Sequence, residues 1–446
     1  MNTPICDFVR DYAASGMTRL HMPGHKGAPV LGMESLDITE IDGADSLYEA
    51  DGIIAESERN AGELFGADTF YSTEGSSQCI RAMLCLAVLH ARRQGITRPT
   101  VAAGRNAHKT FLSAAVLLDL NVTWLYPEPE DSYLSCAVTA PMLERLFARG
   151  EKPTAVYLTS PDYLGNTVDI ADIAEVCHRY GVLLLVDNAH GAYLKFLSPS
   201  RHPMDLGADV CCDSAHKTLP VLTGGAYLHI SRRAPGMLAE EAKRALAMFG
   251  STSPSYLILQ SLDAANRVLA EGYGESLAVL SERVADCRAR LETHGFACVG
   301  DEPIKLTLCP KSYGYTGTAL AQCLREQGIE CEFADPDYLV LMFTPATAEA
   351  DFTRLTDGLL SLPRREAITA LPPAMGRPTR VMSVREAAFS PCETVSAAES
   401  LGRILAAATV GCPPAVPIVV SGERIDEIAV AQFAYYGIES CVVVKE

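Results

Sequence analysis

An α/β fold with a mainly parallel sheet, followed by a smaller α+β domain, is what three features of this sequence predict. Up to about Ser251, apolar runs of strand length alternate with helix-period segments, the order that generates parallel sheets. One run, Val182 to Val186, is almost wholly apolar, and a strand apolar on both faces belongs inside a sheet covered by helices. Beyond "STSPSYLILQSLDAA" the alternation gives way to strands set between longer helical stretches. A chain of 446 residues is also too long for one small core. The expected division is an N-terminal arm over 1–50, a large α/β domain over 51–260 and an α+β domain over 261–446.

The elements follow in order. The opening through Ala50 is rich in Gly, Pro and Asp and lacks sustained periodicity, so it reads as an arm or a loop. "IIAESERNAGELFGA" predicts a helix stopped near Gly66, and "TFYSTEGSSQCIRAMLCLAVLHARRQG" a short strand, a Gly-Ser turn and a long helix. "TVAAGRNAHKTFLSAAVLLDLNVTWLYP" gives strand, loop, helix, strand. The next unit has a strand ending near Ser160, a helix from Ile170 to Tyr180 stopped by Gly181, and the Val182–Val186 strand. Cys211 and Ala226 open two further apolar runs, and Lys217 sits on the turn between them. In the last part, "IKLTL", "IECEFAD" and "YLVLMFT" read as strands, and "TGTALAQCLREQG" and "TAEADFTRLTDGLLSL" as helices. The tail carries the Pro-rich stretches "LPPAMGRPT" and "GCPPAVPIVVSGE".

Composition narrows the function. Hydrophobic content of 48% and charge of 21% are those of an ordinary soluble protein. A net charge of -18 argues against nucleic acid or anionic membranes as partners and accommodates a cationic small substrate. The N-terminus lacks an apolar core of signal-peptide length and no window approaches a membrane span, so the cytoplasm is the expected compartment. Fifteen cysteines fit a reducing compartment, and their spacing makes no metal pattern. His21 and His25 are four apart, but Pro23 and Gly24 rule out the helix a metal pair would need, so no metal is expected.

Polar residues at the strand ends carry the chemistry. Asp187 ends the Val182 run and would project into the crevice where α/β sheets bind ligands, unless it only caps the following turn. Gly75, Ser76 and Ser77 open a helix after a strand, an anion seat or a plain helix cap. Together with Lys217 these parts meet the needs of pyridoxal 5'-phosphate: a lysine for a Schiff base, an aspartate to keep the pyridine nitrogen protonated, and Ser76, Ser77 and Ser214 for the phosphate. His108 would lie flat on the ring. Lys26 and Lys109 are rival lysines, the first with no strand before it and the second directly after His108.

"HMPGHKG", "RNAHK", "VDNAHGA", "SAHKTLP" and "STSPSY", in this order, resemble the ornithine/lysine/arginine decarboxylase family, in its shorter bacterial form without the N-terminal wing domain. "FSPCETV", Gly402-Arg403 and "PPAVPIVVSGE" extend the resemblance almost to the end of the chain. It implies a fold-type-I large domain with a seven-stranded sheet, and decarboxylation of arginine, lysine or ornithine to an amine that feeds polyamine metabolism. Lys217 would carry pyridoxal 5'-phosphate, with His216 near the phosphate and the reaction centre. Asp187 would face the ring nitrogen, with Ala189 beneath the ring, His190 close by and His108 stacked. The active unit would be a homodimer or a higher oligomer, with the arm laid on the partner. Asp45, Glu49 and Asp162 are candidates for holding the substrate's distal charge. Two positions depart from the family pattern, Asp162 in "PDYLG" and Gly224 in "LTGG". An aminotransferase, a non-enzymatic regulator of the same fold and a zinc site at His21, His25 and His108 are the rival readings.

Overall fold

A computed structural model describes residues 1–127, 132–407 and 414–446. The first residues of the "GCPPAVPIVVSGE" stretch, Gly411, Cys412 and Pro413, lie outside the described residues. The chain forms two compact units, one of Met1–Pro99, Ala140–Tyr157 and Asp169–Glu275, the other of Thr100–Thr139, Leu158–Val168 and Ser276–Glu446. Its largest sheet has seven strands: β1 (Asp68–Ser72), β2 (Thr100–Gly104), β3 (Asn121–Leu125), β4 (Ala155–Thr159), β5 (Leu183–Asp187), β6 (Val210–Asp213) and β7 (Ala226–Ile230). They lie in the order β1-β7-β6-β5-β4-β2-β3.

In the first unit β5 and β6 run parallel, pairing Asp187 with Cys212, and β7 runs antiparallel to both β6 and β1. Every residue of β5 and β7 is buried, as an apolar run covered on both faces requires. The helices are stopped by the residues the sequence supplies for it. Helix α1 (Pro4–Ala14) buries Ile5, Cys6 and Val9, so the opening is more regular than its patterning suggested. Helix α2 (Ile53–Phe65) ends on Gly66 at φ 69°. Helix α3 (Gly75–Arg93) follows β1 directly. A later helix, Ile170–Tyr180, is capped by the Asp169 side chain, which accepts from Asp172 N–H, and ends on Gly181 at φ 66°.

The second unit holds the parallel pair β2 and β3 and two further sheets. One is four-stranded and includes Lys305–Cys309 and Leu339–Met342. The expected strand in "IECEFAD" shrinks to Phe333–Ala334, because Asp335 folds the chain back at once: its Oδ1 accepts N–H groups of Asp337 and Tyr338. The Pro-rich tail also contains structure that its sequence hides, a three-stranded antiparallel sheet of Cys392–Ser396, Ser440–Val444 and Leu405–Ala407. Its side chains share a core with Tyr133, Leu134, Tyr163 and Phe333. Among the described residues, fourteen cysteines are free, and no helix is long and apolar enough to cross a membrane.

Candidate active site

Two adjacent parallel strands deliver the key polar groups of the first unit. Asp187 is the last residue of β5, and β6 ends at Asp213, just before Ser214 and the short helix Ala215–Thr218 that carries Lys217. Lys217 is half-buried, and its Nζ lies 3.0 Å from His190 Nε2. His190 is buried in the loop that leaves β5, next to the buried Ala189. Lys26 and Lys109, the rival lysines, are both exposed.

The Asp187 carboxylate is wholly enclosed. Oδ2 accepts from the Tyr157 hydroxyl at 2.9 Å, while Oδ1 accepts from Ala189 N–H at 3.2 Å and from the Cys212 thiol at 3.7 Å. Burial pushes its pKa up, and the Tyr157 hydrogen bond and the Lys217 charge pull against that. Its direct hydrogen-bond donors here are neutral, so a protonated ring nitrogen would supply the cation that a buried carboxylate demands.

At the start of α3 the Ser214 hydroxyl donates to Ser76 Oγ at 2.7 Å. Gly75 adopts φ 70° and its N–H donates to Gly224 O at 2.7 Å. A Cβ on Gly75 would face His216 Cε1 at 3.9 Å. Ser77 lies in the same first helical turn. The hydroxyls therefore meet at the N-terminal end of a 19-residue helix, where backbone N–H groups and the helix dipole favour an anion. His216 places Nδ1 3.0 Å from Gly225 O, and burial lowers its pKa. Lysine, enclosed carboxylate and hydroxyl-lined anion seat together fit pyridoxal 5'-phosphate.

Several expected residues carry local tasks of their own. His108 belongs to the second unit, where its ring caps the helix Lys109–Leu118 by accepting from Thr110 N–H. Asp45 is committed to local structure: its carboxylate accepts from the N–H groups of Ser46, Asp51, Gly52, Ile54 and Ala55. Asp162 is likewise spent on its own turn, accepting from Leu164 N–H and from the backbone and side chain of Asn166. Neither has a carboxylate to spare for a substrate. Glu49 is exposed. Gly224 stands at φ 99° with Thr73 O only 2.9 Å from where a Cβ would go, which accounts for glycine at this position.

Sequence reasoning missed a buried network behind Lys217. Asp213 Oδ2 lies 3.0 Å from His202 Nε2 and 3.2 Å from His229 Nε2, and Oδ1 accepts from the Asn188 side chain at 2.7 Å. The two histidines hold the Asp213 carboxyl well below the usual range despite its burial. The available signal was a second aspartate at a strand end, directly preceding "SAHK", and a histidine within the apolar run "AYLHI".

Known proteins share this sequence and fold. A family model described as the major domain of Orn/Lys/Arg decarboxylase matches residues 3–309. The arginine decarboxylase of Bacillus subtilis (strain 168) is 30% identical over 461 residues, covering 95% of this chain and 91% of that protein. That of Halalkalibacterium halodurans is 30% identical over 463 residues, with the same coverage. The lysine decarboxylase LdcF of Francisella novicida shares the fold, with a TM-score of 0.80 at 18% identity over 99% of this chain and 79% of that one. With most of its length matched by the family model and nearly all of it by these relatives, the chain belongs to the Orn/Lys/Arg decarboxylase family, fold-type-I lyases that use pyridoxal phosphate to decarboxylate basic amino acids.

Proposed function

We propose that the substrate is arginine and that the chain releases carbon dioxide and agmatine, a polyamine precursor, in the cytoplasm. The carrying observation is the pairing of Lys217 with His190 beside the enclosed Asp187; arginine is favoured because the two relatives at 30% identity are arginine decarboxylases. Bound pyridoxal phosphate supplies an electron-withdrawing ring for the pair of electrons left by the departing carboxylate. Lys217 would be the residue that holds the cofactor, and His190 at 3.0 Å shares the proton of its Nζ. Asp187 keeps a proton on the ring nitrogen, and Ser76, Ser77 and Ser214 bind the phosphate. His216 would lie near the phosphate and the reacting carbon, and Ala189 would support the ring. Of the carboxylates considered for the guanidinium, Glu49 is the one without a structural task among the described residues.

The active form is a homodimer. The segment 17–33 leaves Met17, Leu20, Met22, Val30 and Leu31 more than half exposed, an apolar surface that a second copy would cover. The test of activity is a panel of arginine, lysine and ornithine, reading carbon dioxide and the amine by mass. Arginine should give the highest kcat/KM, and borohydride should fix the cofactor on the Lys217 peptide. Turnover of lysine alone, or labelling of Lys26 or Lys109, would sink the respective assignment.

A further inference from the structure

Strand β4 supplies a polar group that neither carries the cofactor nor seats the phosphate. Ala155-Val156-Tyr157-Leu158 is an apolar run apart from the Tyr157 hydroxyl, and Tyr157 has no exposed surface. That hydroxyl donates to Asp187 Oδ2 at 2.9 Å, within the first unit. The other oxygen, Oδ1, takes Ala189 N–H at 3.2 Å and the Cys212 thiol at 3.7 Å. A carboxylate has about four acceptor sites. Phenol, amide and thiol use all but one of them.

The electrical surroundings make the hydroxyl matter. Burial keeps the nearby thiols of Cys79, Cys211 and Cys212 protonated, and the Asp187 charge adds to the effect. Lys217 faces the carboxylate as a cation, but it is the residue committed to the cofactor. Burial favours a neutral carboxyl, and among the groups that oppose it the Tyr157 hydrogen bond ranks ahead of the Lys217 charge. The reason is direct: a donor aimed at a buried carboxylate stabilises its charged form. Remove the hydroxyl and Oδ2 becomes a buried acceptor whose protein donor is gone, a costly state that a proton would relieve.

We propose that Tyr157 is a positioning residue for the decarboxylation: its hydroxyl fixes the Asp187 carboxylate and holds it in the charged form that the cofactor's ring nitrogen requires. A single proton lies between carboxylate and ring nitrogen. Donation from Tyr157 makes the oxygen side less basic, so the proton rests on nitrogen and the ring withdraws electrons well. Tyr157 acts only through Asp187, and the inference rests on the reading of Asp187 as the ring-nitrogen partner. A tyrosine kept for packing alone would behave otherwise. Phenylalanine would fill its place, and the ring-nitrogen proton would stay where it was.

The experiment compares Tyr157→Phe with the parent, each loaded with pyridoxal phosphate carrying nitrogen-15 in its ring. In the variant the ring resonance should move toward the unprotonated position, and kcat should fall about tenfold or more with KM little changed. In cofactor-free enzyme, the infrared band of a protonated carboxylic acid should persist to higher pH in Tyr157→Phe than in the parent, and Asp187→Asn should lack it. Asp187→Asn also separates the two possible failures. If it leaves the ring resonance and kcat unchanged, the Asp187 reading falls and takes this proposal with it. If it alters both while a folded Tyr157→Phe alters neither, the proposal alone is overturned. Should Tyr157→Phe not fold, 3-fluorotyrosine at position 157, a stronger donor of nearly the same shape, decides the matter. The carboxylic acid band should then vanish at lower pH than in the parent, and an unmoved band overturns the proposal.

Discussion

Asp187, Asp213 and Asp335 are all buried aspartates, and their surroundings send them in different directions. Asp187 is pushed up by burial, with the Tyr157 hydroxyl and the Lys217 charge pulling against it. Asp187→Asn should therefore bind pyridoxal phosphate with modest loss yet lose at least about a hundredfold in kcat, about 2.7 kcal/mol of barrier. A variant within tenfold of the parent by steady-state assay would deny Asp187 its role. Asp213 is held down by His202 and His229, so its stabilising share is whole above the ordinary value of 3.8 and is lost as the pH falls below it. Asp335 has the opposite sign. Its folded pKa of about 6 lies above its ordinary 3.8, so between these values the folded state binds more protons and stability falls as the pH rises. Full ionisation corresponds to about 3 kcal/mol. Asp335→Asn should then melt higher than the parent at pH 7 and no higher at pH 3.5; equal melting curves at both would contradict the shift. The sequence exposes Lys217 and Asp187 because strand ends are readable from apolar runs. It conceals the Asp213 network, whose members His202, His229 and Asn188 come from separate segments that only folding brings together.

At the scale of elements, helices and strands of the sheet were legible wherever a period and a stop signal coincided. Ile170–Tyr180, with Asp169 before it and Gly181 after, is an instance. Helix α1 was obscured because its buried residues are few, Ile5, Cys6 and Val9, and they precede a loop without pattern. The tail sheet was obscured because strands of three to five residues set among prolines carry too few alternations to register. The turn joining β6 to β7 exposes a dependence that composition cannot show. Gly224 bonds Gly75 at the start of α3, so one turn ties the Lys217 segment to the N-terminal end of that helix. Gly224→Ala forces a Cβ against Thr73 O at 2.9 Å in a left-handed conformation. Strain of this kind costs about 1–3 kcal/mol. The expected result is a lower melting temperature together with weaker cofactor affinity, measured by fluorescence titration of pyridoxal phosphate. Unchanged affinity would mean that the turn does not set the phosphate seat.

For the whole molecule, the decisive question is whether one chain makes a complete site. The arm is anchored on its own unit by helix α1, whose Cys6 N–H donates to Asp263 at 2.9 Å. Its following segment is not buried in the same way: Leu20 is 88% exposed and Val30 and Leu31 are each 81% exposed. Apolar side chains gathered in one short stretch of surface are what a subunit interface covers, and closed twofold pairing is the commonest assembly for soluble chains. Glu49 lies on the same arm, so pairing would bring a carboxylate along with the apolar cover. Two variants test this, Lys217→Ala and the double variant His25→Ala/Glu49→Gln. Each should be inactive alone. If the arm completes the partner's site, subunit exchange at equal concentrations should restore about a quarter of the parental activity, since half the pairs are mixed and each mixed pair keeps one intact site. An active double variant would show that the arm is dispensable. Fully active monomers by light scattering at assay concentration, or no recovery after exchange proven by mass-tagged subunits, would refute the shared site.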